Sequence, residues 1–205
     1  MTRRMALLRI DHLTSGAILG IWRMEETVSD MLAMMPSLGK LQHVLDSHSR
    51  DARRLEVLSV HALIHIMTGD GNLVVSHNKD GRPFIDGWHV SISHTRGYAA
   101  VILSRRHDVS VDIEYVSNRV AKIAGRFIRD DEQDDGITRQ LVCWCTKEAV
   151  YKYFSSQHLA LLDIRLHVYE LSSAGSIIAE NMQSGDMVTV NYYVTDCFVM
   201  TYIIP

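Results

Sequence analysis

The chain has 205 residues, 47% of them apolar and 22% charged, an ordinary globular composition with room for one large domain or two small ones. Lysine and arginine number 21 against 24 acids, for a formal net charge of −3; this excludes a general electrostatic affinity for nucleic acid, so any anion site must be local. The longest apolar runs, such as Tyr98–Leu103 and Cys197–Met200, fall far short of the roughly 20 residues that a membrane-spanning helix needs.

At the N-terminus, Asp11 and His12 interrupt before a sustained apolar region develops, so no secretory signal is expected. Ala17–Trp22 is apolar, and Asp51–Met67 carries Leu55, Leu58, Ala62 and Ile66 at helical spacing before a stop at Gly69. His61 and His65 stand i, i+4 on that helix. The spacing suits zinc, but no glutamate follows His61 as His-Glu-x-x-His requires, and a partly buried helix face explains it equally. Strand-like runs follow at Leu73–Ser76, His89–Ser93 and Tyr98–Leu103, with a turn signal at Asp80-Gly81.

The polar stretch Ser104–Asp108 reads as a hinge. After it come a strand at Val109–Glu114, helical segments near Asn118–Ile128 and Thr138–Phe154, and short strands at Ile164–Tyr169, Ser176–Glu180, Met187–Val194 and Cys197–Ile203, with breaks at Gly175 and Ser184-Gly185. Strand, helix, then several strands describes both halves, 1–106 and 107–205, so the expected fold class is α+β with two similar halves. Cys143, Cys145 and Cys197 make an odd set, which fits reduced thiols in the cytoplasm. The Cys-x-Cys pair reads as packing thiols because no second pair accompanies it to complete a metal site.

Strict alternation in Val109-Ser110-Val111-Asp112-Ile113-Glu114 puts Ser110, Asp112 and Glu114 on one face of the strand. Two neighbouring carboxylates suit magnesium, which takes one or two such ligands plus waters and phosphates; a half-exposed strand with a solvated polar face has the same pattern. On the following helix Trp144, Glu148 and Lys152 are spaced i, i+4, i+8. Periodicity alone leaves two readings open there: a surface ion pair beside a core tryptophan, or an acid and a base sharing a site.

The ordered set Gly81-Arg82-Pro83, Ile92-Ser93-His94-Thr95, Val111-Asp112-Ile113-Glu114 and Trp144-Cys145-Thr146-Lys147-Glu148-Ala149-Val150-Tyr151-Lys152 resembles the 4′-phosphopantetheinyl transferases, particularly the larger single-chain class that includes the surfactin-synthetase-activating enzymes. The motif-bearing part runs from Arg53 to about Phe154. The resemblance implies two halves related by a pseudo-two-fold with the active site in the cleft between them, residues 1–106 on the nucleotide side and 107–205 carrying metal site and carrier docking. Asp112, Glu114 and Glu148 would hold Mg2+ against the diphosphate of coenzyme A. Glu148, Lys152 and His94 would be catalytic, and Arg54, Arg82, Ser93, His94 and Lys152 would bind coenzyme A. The other partner would be an apo carrier protein, acyl or peptidyl, docked on a basic stripe of Arg119, Lys122, Arg126 and Arg129, and the chain would be a monomer. A non-catalytic relative that binds coenzyme A or a carrier is the alternative. Three departures stand out: Ser110 stands where glycine is common, Cys145 where serine or threonine is common, and the lysine-rich nucleotide segment before Arg53 has only Lys40 as a counterpart; Arg82, where lysine is common, keeps the charge.

Overall fold

A computed structural model describes residues 6–79, 81–132 and 136–205; Asp80, half of the expected turn signal, lies outside them. The chain divides into two compact units, Met1–Arg106 and His107–Pro205.

The first unit opens with β1 (Leu7–His12) and β2 (Ile18–Arg23), then α1 (Val28–Met34), a 3-10 turn Pro36–Leu41 and α2 (Gln42–Asp46). The long α3 (Asp51–Thr68) follows, then the two-residue strands β3 (Ser76–His77) and β4 (Pro83–Phe84), then β5 (His89–Thr95) and β6 (Tyr98–Ser104). Four of the strands form an antiparallel sheet in the order β1-β2-β6-β5. Six residues of β6, Ala99–Ser104, are buried, as a continuous apolar run in a central strand requires.

Helix α3 packs on this sheet at a place where β2 has no side chain. A Cβ on Gly20 would lie 2.6 Å from Met67 Sδ and 2.9 Å from Leu63 Cδ2, so glycine sets how near the helix comes. The helix ends as its sequence dictates, with Gly69 at φ 71 and its N–H bonded to His65 O at 2.9 Å. Elements absent from the sequence expectation add to the core beside Trp22: α1, the 3-10 turn and α2 supply Met31, Leu38, Leu41 and Leu45, and β1 packs the partly buried Leu7 and Ile10 against it. Their segments are too short to establish a period, and α1 is signalled only by the Thr27/Asp30 capping box.

The expected strand Leu73–Ser76 is largely irregular, because histidines take the place of a ladder. The Val75 N–H donates to His61 Nε2 at 3.1 Å and His61 Nδ1 meets Val57 O at 2.8 Å. His65 Nε2 meets Leu73 O at 3.0 Å, with Ser37 Oγ on its Nδ1 at 3.2 Å. All four ring nitrogens are engaged by this chain, so the i, i+4 pair latches the following segment to α3 and is not a zinc site. Burial lowers the His61 pKa, in keeping with the neutral form.

The second unit holds β7 (Ser110–Tyr115), 3-10 segments Val120–Arg126 and Asp130–Glu132, α4 (Ile137–Tyr153), and then β8 (Ile164–Leu166), β9 (Ala174–Asn181), β10 (Met187–Val194) and β11 (Phe198–Ile203). The sheet order is β7-β11-β10-β9-β8, so the unit's first strand pairs with its last. Helix α4 lies across it, and Val142, Cys145, Ala149, Val150, Val190 and Val199 are wholly buried in their shared core. Among the described residues no helix is long and apolar enough to cross a membrane.

Three expectations change here. The segment Asn118–Ile128 forms the 3-10 turn Val120–Arg126 instead of an α-helix; β-branched Val120 and Ile123 together with Gly125 lower helical propensity. The strand Ile164–Tyr169 stops at Leu166. Gly175 lies inside β9 instead of breaking the chain, opposite Tyr192, whose hydroxyl would be 2.8 Å from a Cβ there; the glycine admits the ring. All three cysteines are free, two of them buried.

A charged pair is buried in this unit. Lys147 Nζ lies 2.5 Å from Glu132 Oε2, with side chains 0% and 6% exposed. The other Glu132 oxygen accepts the Leu166 N–H at 2.6 Å. The pair therefore ties the 3-10 turn before α4 to both α4 and β8.

Candidate active site

The acid-bearing face of β7 points at α4. Ser110 Oγ donates to Ala149 O at 2.6 Å, and Thr201 Oγ1, on the residue paired with Asp112, donates to Cys145 O at 2.7 Å. The alternation read in the sequence holds, but the polar face is covered by the helix instead of water: Ser110 is 0% and Asp112 5% exposed. Glu114, paired with Val199 further along the strand, is half-buried.

A buried carboxylate needs compensation. For Asp112 it comes from Lys152, in the last turn of α4, whose Nζ lies 2.6 Å from Asp112 Oδ1 and 3.1 Å from Val111 O. The i, i+4 spacing is equally that of a surface pair with Glu148; Lys152 reaches across to the strand instead. Trp144 is a core residue, edge-on to Phe127 at 5.1 Å.

Glu148, half-buried one turn before Lys152, has its carboxyl pushed up to about 7 from an ordinary 4.5, first by burial and then by the charge on Asp112, with Lys152 opposing and Glu114 adding to the rise. The three acids thus repel one another near neutral pH. Among the described residues no three His, Cys, Asp or Glu side chains form a metal-holding group. Magnesium does not require one, since it keeps several waters and binds through one or two carboxylates plus phosphates. The donor chemistry fits: hard oxygens whose mutual repulsion a divalent cation relieves.

A stability consequence follows from the raised pKa. Between pH 4.5 and about 7 the folded state holds a proton on Glu148 that the unfolded chain has lost, so stability falls as pH rises through this window. The upper bound is about 3 kcal/mol. Urea melts at pH 5 and pH 8 are expected to show the loss, Glu148→Gln to reduce it, and millimolar magnesium to restore stability at pH 8. Equal slopes for both chains, with no response to magnesium, would contradict the placement of these charges.

In the first unit, the arginine that reaches His94 is Arg53. Its Nη1 lies 2.8 Å from His94 Nε2 and 2.7 Å from Glu56 Oε2. Arg54 turns the other way: its Nε donates to Leu45 O at 3.1 Å and His48 O at 2.9 Å, and its Nη1 to Asp51 at 3.1 Å. Arg54 thereby braces one wall of a cavity of about 420 Å3 lined by Ser47, His48, Ser49, Arg50, Arg53 and Glu56. Ser93 is buried on β5, with His94 beside it and partly exposed.

Arg82 closes the β3–β4 hairpin. Its N–H donates to Asn78 Oδ1 at 2.8 Å and its carbonyl accepts from Asn78 N at 3.0 Å, across Gly81 at φ 78. Lys40 is bound to Asn72 Oδ1 and to Gly71 O at 3.4 Å. Sequence reasoning assigned no role to Arg53 or Glu56. Their i, i+3 spacing at the start of a helix is ordinary, and the contact with His94, 41 residues away, is long-range.

The family model described as the 4′-phosphopantetheinyl transferase superfamily matches residues 108–200. The match lies within the second unit and includes Asp112, Glu114, Glu148 and Lys152. It associates that region with phosphopantetheine transfer in general. No curated protein matches the chain.

Proposed function

We propose that the chain transfers the 4′-phosphopantetheine arm of coenzyme A to a serine of an apo carrier protein, releasing 3′,5′-adenosine bisphosphate. The observation that carries this reading is the facing of Asp112 and Glu114 by Glu148 and Lys152, inside the region matched by the superfamily model. One or two of Asp112, Glu114 and Glu148, with waters and the phosphates, would hold Mg2+, which when bound neutralises the charge of the diphosphate.

The serine hydroxyl forms a bond to the β-phosphorus of coenzyme A as the bond from that phosphorus to the oxygen of the adenylate side breaks. Glu148 takes the hydroxyl proton as general base. Lys152, held over Asp112 at 2.6 Å, orients the diphosphate and offsets charge that builds on its oxygens. On the nucleotide side Arg53, Arg82, Ser93 and His94 contact coenzyme A, and Arg54 shapes the cavity wall. Label carried in the pantetheine arm is expected on an apo carrier after incubation with the chain, and chelation of divalent cations is expected to abolish the transfer. Binding of coenzyme A with no transfer to either acyl or peptidyl carriers would favour the non-catalytic alternative.

Carrier docking falls to Arg119, Lys122 and Arg126, all exposed on or beside the 3-10 turn Val120–Arg126. Arg129 leaves the stripe expected from an α-helix: its guanidinium is committed to Asp131 at 2.9 Å and Leu162 O at 2.8 Å. Lys122→Glu with Arg126→Glu is expected to raise KM for an acidic carrier about tenfold or more, with KM for coenzyme A nearly unchanged. Equal changes in both constants would remove docking from this turn.

A further inference from the structure

Glu56 is an acid on the wall of a cavity otherwise furnished with Arg50, Arg53 and His48. If the cavity serves the nucleotide phosphates, a carboxylate there opposes binding by its charge alone. Its contacts indicate what it does instead. Glu56 Oε2 holds Arg53 Nη1 at 2.7 Å and faces His94 Nδ1 at 3.6 Å, while the same Arg53 nitrogen lies 2.8 Å from His94 Nε2.

The tautomer follows from the arginine. A guanidinium only donates, so His94 Nε2 must accept. The ring is then neutral and its proton sits on Nδ1, on the side of Glu56. Glu56 thus favours both members of the pair in their observed state: it fixes the rotamer of Arg53 and attracts the Nδ1–H of His94. The contacts to His94 join α3 to β5, whereas the Glu56–Arg53 pair lies within α3, so Arg53 is held by Glu56 from its own helix and by His94 from the sheet.

We propose that Glu56 is a positioning residue for anion binding, one that, with His94 as a brace, preassembles Arg53 for a phosphate of the nucleotide. This rests on the nucleotide reading above and adds a residue to it. A charge role and a positioning role predict opposite signs. Removing a negative charge beside an anion site tightens binding if charge is all that matters, and weakens it if the carboxylate aligns the groups that bind.

The test is calorimetric titration of 3′,5′-adenosine bisphosphate into the full chain and into Glu56→Gln and Glu56→Asp, with thermal melts to establish that each variant is folded. Glu56→Gln is expected to weaken binding about tenfold, the scale of one lost charge-assisted hydrogen bond. Glu56→Asp keeps the charge but falls one methylene short, and is expected to weaken binding as well. Nitrogen-15 spectra of His94 are expected to move from the Nδ1–H tautomer toward a mixture in Glu56→Gln, a change that loss of packing would not produce. Unchanged or tighter binding by folded Glu56→Gln overturns the proposal. Failure of the unaltered chain to bind the bisphosphate overturns the nucleotide reading itself.

Discussion

Glu148→Gln is expected to slow phosphopantetheine transfer by about 10²–10⁴-fold, the range that a positioned general base contributes, while leaving the fold intact. The substitution keeps the shape of the side chain and removes the ability to take a proton. Its stability cost is small or negative, because at neutral pH the native carboxylate is a burden: burial and the charge of Asp112 already push its pKa to about 7. Loss of rate together with equal or greater stability is therefore the expected signature. A folded Glu148→Gln chain with near-normal turnover would remove Glu148 as the base.

Lys147→Met is expected to cost about 3–5 kcal/mol, because it strands a buried carboxylate. Glu132 is 6% exposed, and its partner on α4 is 2.5 Å away. Adding Glu132→Gln to Lys147→Met should recover most of the loss. The amide oxygen can still accept the Leu166 N–H that Glu132 now takes at 2.6 Å, and a buried ion pair replaced by neutral groups is often close to isoenergetic. Urea midpoints for the single and double variants measure both effects. A single variant as stable as the unaltered chain would contradict the burial of the pair; a double variant as damaged as the single would assign the loss to packing instead of charge.

These residues also show what a sequence yields and what it withholds. The alternation in 109–114 gave the faces of β7 correctly, because side-chain direction in a strand is fixed by backbone geometry. It did not give what covers each face: the solvated-strand reading of Asp112 fails because α4 lies over it, and only the tertiary fold decides that. The end of α3 was legible from Gly69, a local signal with a local cause. Lys147 and Glu132 were not, since Lys147 reads as one more charge in Thr146-Lys147-Glu148, and Glu132 as part of an acidic surface run.

Long-range contacts account for most of the remaining differences. The Asp112–Lys152 bond spans 40 residues and the Arg53–His94 bond spans 41, distances over which no period or spacing carries information. Arg54 illustrates the local version of the problem. Adjacent arginines on a helix point about 100° apart, so choosing Arg53 or Arg54 as the one that faces His94 needs the phase of the helix. The basic stripe after β7 loses Arg129 for the same reason: a 3-10 turn has a different phase from the α-helix on which the stripe was drawn, and Arg129 folds back onto Asp131.

The most direct test of the account is the intact mass of an apo carrier protein incubated with the chain, coenzyme A and magnesium. Gain of one phosphopantetheine group on the carrier's acceptor serine, dependent on magnesium and lost with Glu148→Gln, is the predicted result. An unchanged mass for acyl and peptidyl carriers alike, with the chain folded and coenzyme A bound, would contradict it.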